Sequence, residues 1–310
     1  MAIGHTRRQG PAETADPSEV VTLKTSSGWS LAVEIREPRG KALGTAILLH
    51  SMMASRRIWN TPREHGVASV LRERGIRTLA LDFRGHGDSG PLPPSGASWR
   101  YDDLVVEDIP ALCRAARERW PNEKVTLVGH SLGGHASIAS ASRALADADA
   151  VAVLATNVWL PSEEPNPILF AKKAAMVRIC ELATRARGYF PARALRFGSD
   201  DEAGPFMMGW TGWWRSDRWT SDDGRIDYQE TMSKLEVPLL AMGSMGDRQF
   251  CTPPAAVRFA KRAPARLTTF ELVRRADDGG AAPDHMQFVT TRAAVSAWHR
   301  IAEFCAYTSP

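Results

Sequence analysis

Five residues constrain this chain more than any other stretch: Gly129-His130-Ser131-Leu132-Gly133. They sit between a short apolar run, Val125-Thr-Leu-Val, and a small-residue segment, Ala136-Ser-Ile-Ala-Ser-Ala. The run reads as a strand buried on both faces, and the segment as a helix that can lie close against a sheet. Glycine two residues either side of Ser131 allows a sharp turn and a close approach of strand to helix. Ser131 then stands on a tight elbow at the head of a helix, where a serine nucleophile can be presented. A glycine-rich turn with a serine N-cap would use the same letters. The pentapeptide therefore needs its context, which the flanking strand and helix patterns supply.

The rest of the chain alternates in the same way. VVTLKT (20–25) and SLAVEIRE (30–37) alternate apolar with polar residues around Ser27-Gly28, the pattern of an edge hairpin. Largely apolar runs that read as buried strands follow at 45–50, 76–83, 150–156 and 237–243, and a further strand at 266–273. Helical spacing fills the stretches after Pro62, from Trp99 to Trp120, from Pro253 to Ala263 and from Thr291 to about Tyr307. Pro110 is expected to kink or split the second of these. The expectation is an α/β fold with a mostly parallel central sheet and helices on both faces. Residues 1–18 read as a flexible N-terminal tail. The alternation stops at 157–232, where a helical pattern from Pro167 to Arg187 precedes Trp210, Trp213, Trp214 and Trp219. This stretch reads as a helical cap or lid inserted into a core made of 19–156 and 233–310.

Composition narrows the function classes. The 310 residues are 44% hydrophobic and 24% charged, as in an ordinary soluble chain. The net charge of +4 is spread among acids and not gathered into runs, so no nucleic-acid partner is expected. The four cysteines form no CxxC pair and read as free thiols in a reducing compartment. The first residues carry no apolar signal region and no run is long enough for a membrane span, so a cytoplasmic location is expected. The histidines do not cluster with acids or cysteines as metal ligands do, so no metal is expected.

A serine hydroxyl needs a base within reach, and that base needs an orienting acid. In a parallel sheet both belong in loops beyond strand carboxyl ends. The loop after 237–243 carries Asp247, and the loop after 266–273 carries His285. The order Ser131, Asp247, His285 assigns nucleophile, orienting acid and base. Asp277, Asp278 and Asp284 lie in the histidine's own loop and read as solvated. His130 reads as packing or hydrogen-bonding locally, and His299, inside the closing helix, as a surface residue. Oxyanion donors are expected from the N–H of Leu132 and, in the loop His50-Ser51-Met52-Met53, from the N–H of Met52, with Ser51 the second choice. His50 is expected to order that loop. Trp210, Trp213, Trp214 and Met207, with Met176 and Met208, are candidates for an apolar substrate pocket, although rings in a cap can equally glue it to the core.

LLHSMM, LALDFRGHGDSG, WRYDDL, LVGHSLGGH, GSMGDRQFCTPP and PDHMQF together resemble the α/β-hydrolase superfamily over residues 20 to 308, and more narrowly its serine aminopeptidase and monoacylglycerol-lipase-like hydrolases. The resemblance implies the same three site residues and requires no cofactor. It departs at Ser51, where relatives usually have glycine. Arg84-Gly-His-Gly-Asp-Ser-Gly90 resembles the family's loop after the fourth strand and is read as a charged brace. The implied activity is hydrolysis of a small-molecule carboxylic ester or thioester through an acyl-enzyme. Aminopeptidase, lactonase or C–C hydrolase chemistry on the same three residues is the alternative, and a non-catalytic binder on the same fold is a third reading. Glu163, Glu164, Asp200, Asp201 and Glu202 are the acids that could hold a substrate amine.

Overall fold

The computed structural model describes residues 18–307. The expected tail lies outside them except for Ser18, which starts the first strand. The chain runs β1 (Ser18–Lys24), β2 (Ser30–Arg36), β3 (Gly44–Leu49), α1 (Val67–Glu73), β4 (Ile76–Leu81), α2 (Tyr101–Asp103), α3 (Ile109–Arg119), β5 (Val125–His130), α4 (Leu132–Ala141) and β6 (Ala150–Leu154). It continues through α5 (Pro167–Arg187), β7 (Tyr189–Phe190), β8 (Glu202–Ala203), α6 (Gly204–Ser216) and α7 (Tyr228–Met232). It closes with β9 (Leu239–Ser244), α8 (Pro253–Ala260), β10 (Thr268–Val273), α9 (Gln287–Thr290) and α10 (Val295–Tyr307).

Eight strands form one sheet in the order β1-β2-β4-β3-β5-β6-β9-β10. The hairpin β1–β2 and the β2–β4 pair are antiparallel, and every later pairing is parallel. β7 and β8 pair separately, outside this sheet. The central strands are apolar on both faces because both are covered. Ile47 and Leu49 of β3 join one core cluster with α3 and α4, while Ala46 and Leu48 join the other with α1 and α10. Chain order reverses at β3: β4 lies on one side and β5 on the other. In an open α/β sheet, the crevice beyond strand carboxyl ends at such a reversal is where ligands bind.

Pro110 stands in the first turn of α3, where the expected long helix is split into α2, a π turn and α3. A π turn, Leu104–Asp108, precedes it, and the Ile109 N–H donates back to Leu104. Proline lacks the N–H that would continue an α ladder, and the wider turn accommodates the break. The turn also aims Glu107 and Asp108 at Arg84, at 2.7 and 2.6 Å. With Asp108 fully buried and Asp82 bonded to the Arg56 guanidinium, the glycine-rich loop after β4 is a charged brace, as the sequence led us to expect. All four cysteines are free and buried.

Candidate active site

β5 ends at His130 and α4 begins at Leu132, so one residue makes the turn. Ser131 stands at φ 53° and ψ −112°, a strained backbone for a residue with a side chain. The strain is held by sterics. A Cβ on Gly129 would come within 2.4 Å of Gly133, and one on Gly133 within 2.1 Å of the Leu49 carbonyl oxygen. The motif glycines are thus required by the contact of helix with strand. The Ser131 N–H donates to Leu154 O at 3.0 Å and the Gly133 N–H to His50 O at 3.1 Å, tying the elbow to β6 and β3.

Asp247 follows β9 and is 1% exposed. Its Oδ2 accepts a hydrogen bond from His285 Nδ1 at 2.6 Å, and its Oδ1 accepts the Phe250 N–H at 3.0 Å. Burial alone would raise this carboxyl. The bond from His285, its charge, and the N–H groups of Cys251 and Phe250 outweigh burial and hold it below the usual range. Ser244 Oγ donates to Pro283 O at 2.5 Å, joining the loop of the acid to the loop of the histidine. His130 Nε2 donates to the backbone oxygen of His285 at 3.0 Å. Burial and the neighbouring His285 push the His130 imidazole down to about 3, so it is neutral at pH 7. The other loop acids are occupied: Asp277 accepts from Ser296, Asp278 from Gly280, and Asp284 from Met286 and Gln287.

The loop after β3 is held from two directions. His50 donates from Nδ1 to Ser51 O at 2.7 Å and accepts the Phe83 N–H at Nε2, 3.1 Å away. Burial, then the facing His86, lowers its imidazole well below the ordinary value. From the other side, Glu202 Oε1 accepts the Met53 N–H at 2.7 Å, while the N–H groups of Ser199 and Asp200 reach Met53 O at 2.9 and 3.3 Å. A Cβ on Gly198 would lie 2.1 Å from that oxygen, so the approach requires glycine there. The Met53 N–H is therefore committed, and Met52 and Ser51 carry the loop's other donors. Ser51 is buried with Oγ 3.9 Å from Met286 Sδ.

Ser51, Met52, Ser131, Leu132 and His285 line one cavity of about 160 Å³. Its remaining wall is largely apolar and includes Trp159, Met176, Phe197, Trp210 and Phe250. None of its lining residues is an Asp or Glu. Phe250 lies against the His285 ring, centroids 5.0 Å apart, and stacks on Trp159 at 5.9 Å.

Of the pocket candidates named from the sequence, only Trp210 and Met176 line this cavity. Trp213 is instead packed edge-on against Tyr101 at 4.7 Å, with its indole N–H donated to Thr220 O at 2.9 Å. Trp214 meets Phe170 of α5 at 5.3 Å, and Met207 is fully buried in the core cluster. Met208 lines a separate surface pocket. These side chains join the connecting segment to itself and to the core. Trp159, Phe250, His135 and Asn157 were not singled out as lining. Trp159 and Phe250 stand in loops past the ends of β6 and β9, so the rule that found Asp247 could have found them.

The acids considered for a substrate amine are occupied elsewhere. Glu163 pairs with Arg258 and Arg262, Glu164 with Lys173, and Glu202 with His86. Asp200 accepts the Gly87 N–H, and Asp201 the Arg193 N–H. Among the described residues, no group of three or more His, Cys, Asp or Glu is placed to hold a metal ion, and no helix is long and apolar enough to cross a membrane.

Residues 51–194 match a family described as serine aminopeptidase, S33. A serine hydrolase-like protein of Dictyostelium discoideum is 30% identical over 125 residues, 40% of this chain and 32% of that protein. The chain thus spans about a third of the length of the curated relative it matches. Among solved structures, a Pyrococcus furiosus esterase superposes with a TM-score of 0.62 at 16% identity, covering 98% of this chain and 94% of that one. An esterase domain from Rhodothermus marinus gives 0.59 at 17%, covering 94% and 100%. A monoacylglycerol lipase of Paleococcus ferrophilus gives 0.58 at 16%, covering 89% and 99%. At such identities the superpositions speak to the fold.

Proposed function

We propose that this chain, which shares the fold of the esterases and lipase it superposes on and matches a serine aminopeptidase family over residues 51–194, is a serine hydrolase acting on carboxylic esters or thioesters of small to medium apolar substrates. The observation that carries this reading is the 2.6 Å bond from His285 Nδ1 to buried Asp247, with His285 and Ser131 opening onto the same cavity. Asp247 fixes the tautomer in which His285 Nε2 is a base. Ser131 Oγ attacks the ester carbonyl as His285 takes its proton. The Leu132 and Met52 N–H groups receive the developing oxyanion, the first at a helix N-terminus. His285 then protonates the leaving alcohol or thiol, and water resolves the acyl-enzyme by the reverse proton path.

The matched family's description makes an aminopeptidase the competing reading. A peptide N-terminus is an ammonium at neutral pH and needs an acceptor of opposite charge. The cavity wall offers none, and the acids nearest in sequence are paired elsewhere. A neutral acyl group fits this wall better.

A fluorophosphonate probe tests the reading. Wild type should be labelled covalently at Ser131, and Ser131→Ala should not. Failure to label the folded protein, or equal labelling of both, would overturn it. Turnover of p-nitrophenyl esters against aminoacyl p-nitroanilides separates the two substrate classes.

A further inference from the structure

His135 lies one helical turn beyond Ser131 on α4, is 4% exposed, and lines the same cavity. Its Nδ1 is 2.9 Å from the hydroxyl of Tyr101. Tyr101 is itself 1% exposed, packed among His135, Trp213 and Tyr228. A buried phenol must place its proton on an acceptor. Among the described residues the only acceptor placed for this hydroxyl is His135 Nδ1, since the Trp219 indole N–H that also approaches it can only donate. The phenol therefore donates and Nδ1 accepts. A neutral imidazole that accepts at Nδ1 carries its proton at Nε2. Burial pushes the His135 imidazole down to about 3, so the ring is neutral at pH 7 and has one N–H. That Nε2–H has no partner among the described residues.

We propose that His135 is a specificity-determining residue whose Nε2–H, held by Tyr101, receives a hydrogen-bond-accepting oxygen on the apolar chain of the substrate. The proposal rests on the serine-hydrolase reading and narrows its substrate class to esters bearing an ether, keto or hydroxyl oxygen a few bonds from the scissile carbonyl. The spacing follows from the helix: His135 is four residues from the candidate nucleophile, about one 5.4 Å turn along the same face. The energetic reason is asymmetry. An all-carbon chain entering the cavity covers the N–H and leaves it unpaired, whereas an oxygen at the right bond satisfies it. Tyr101 acts through His135 as a positioning residue and does not touch substrate.

The test compares p-nitrophenyl hexanoate with analogues in which one chain methylene is replaced in turn by an ether oxygen. Wild type should favour one oxygenated isomer in kcat/KM by roughly tenfold or more. The ratio should fall towards one in His135→Phe. Because that change strands the Tyr101 hydroxyl, the double variant His135→Phe/Tyr101→Phe, which removes both partners, reads the same ratio in a better satisfied core. Tyr101→Phe alone frees the tautomer and should lower the ratio only in part. Calorimetric binding of the same esters to Ser131→Ala reads the preference without turnover. Preference in binding that is lost with His135 supports the proposal, even if wild type proves not to hydrolyse esters, a result that would count against the serine-hydrolase reading alone. No preference for any oxygenated isomer in binding, or a preference undiminished in the double variant, overturns it.

Discussion

Glu202 Oε1 lies 3.1 Å from His86 Nε2, and neither side chain has exposed surface. Burial lowers the His86 imidazole, but the charge of Glu202, with Asp200 behind it, outweighs burial and raises it to about 9. The His86 imidazole therefore keeps its proton at neutral pH. The same Glu202 oxygen holds the Met53 N–H at 2.7 Å, next to the proposed oxyanion donor. Glu202→Gln keeps the acceptor and removes the charge. It should destabilise the fold by about 3 kcal/mol, since one buried charge is left without its partner. It should also lower kcat roughly tenfold or more with a smaller change in KM, because a small displacement of the loop misplaces its donors. Urea denaturation and ester kinetics measure both. An unchanged kcat would detach Glu202 from the oxyanion loop.

Asp247→Asn retains shape but cannot hold the same His285 tautomer. Its kcat on a p-nitrophenyl ester should fall by about four orders of magnitude, the size found for the equivalent change in a serine protease. Fluorophosphonate labelling should slow in parallel. A loss below tenfold would assign the orienting role to another acid.

Two tryptophans of α6 should separate cleanly. Trp210 borders the cavity, and Trp210→Ala should shift preference towards longer acyl chains. Trp213 is 5% exposed and wedged against Tyr101, and Trp213→Ala should cost about 3–5 kcal/mol in stability. Chain-length profiles and thermal melts on both variants check the contrast. A large selectivity change in Trp213→Ala without destabilisation would reverse the assignment.

Stability should be greatest near pH 6.5. His130 and His135 are pushed down to about 3 from 6.5, and His50 is also lowered, all by burial first. Between those values the unfolded chain binds more protons, so stability falls as pH drops below about 6.5. His86 has the opposite sign. Its raised value makes the folded chain bind the extra proton, and that contribution is full below 6.5 and lost as pH rises through about 9. Each group has a limiting slope of about 1.4 kcal/mol per pH unit. Denaturation midpoints from pH 4 to 9 should trace a dome, and His86→Gln should flatten its alkaline side. A monotonic profile would contradict these assignments.

The sheet was legible because its central strands are apolar on both faces, and continuous runs such as Ile76–Leu81 look alike from sequence and structure. The elbow was legible because sterics at Gly129 and Gly133 leave few alternatives. Asp247 and His285 followed from a rule about strand ends. The pocket wall was not legible. Composition shows that α6 is rich in tryptophan, but which ring faces the cavity depends on how the helix is rolled against its neighbours. Nor was the role of Glu202 legible, since its partners Met53 and His86 lie far away in sequence. The π turn before Pro110 escaped notice because helical spacing cannot distinguish one extra residue in a turn from a kink.

Met53 is gripped at its N–H by Glu202 and at its carbonyl by Ser199 and Asp200. The segment between β6 and β9 is therefore not an interchangeable part. A chimera whose imported stretch did not place a carboxylate and two N–H groups as residues 199–202 do would lose the clasp on the loop after β3. Single cavity-lining rings such as Trp159 or Trp210 can be exchanged without touching that clasp, whereas wholesale replacement of the segment would have to rebuild residues 198–202 at the same step.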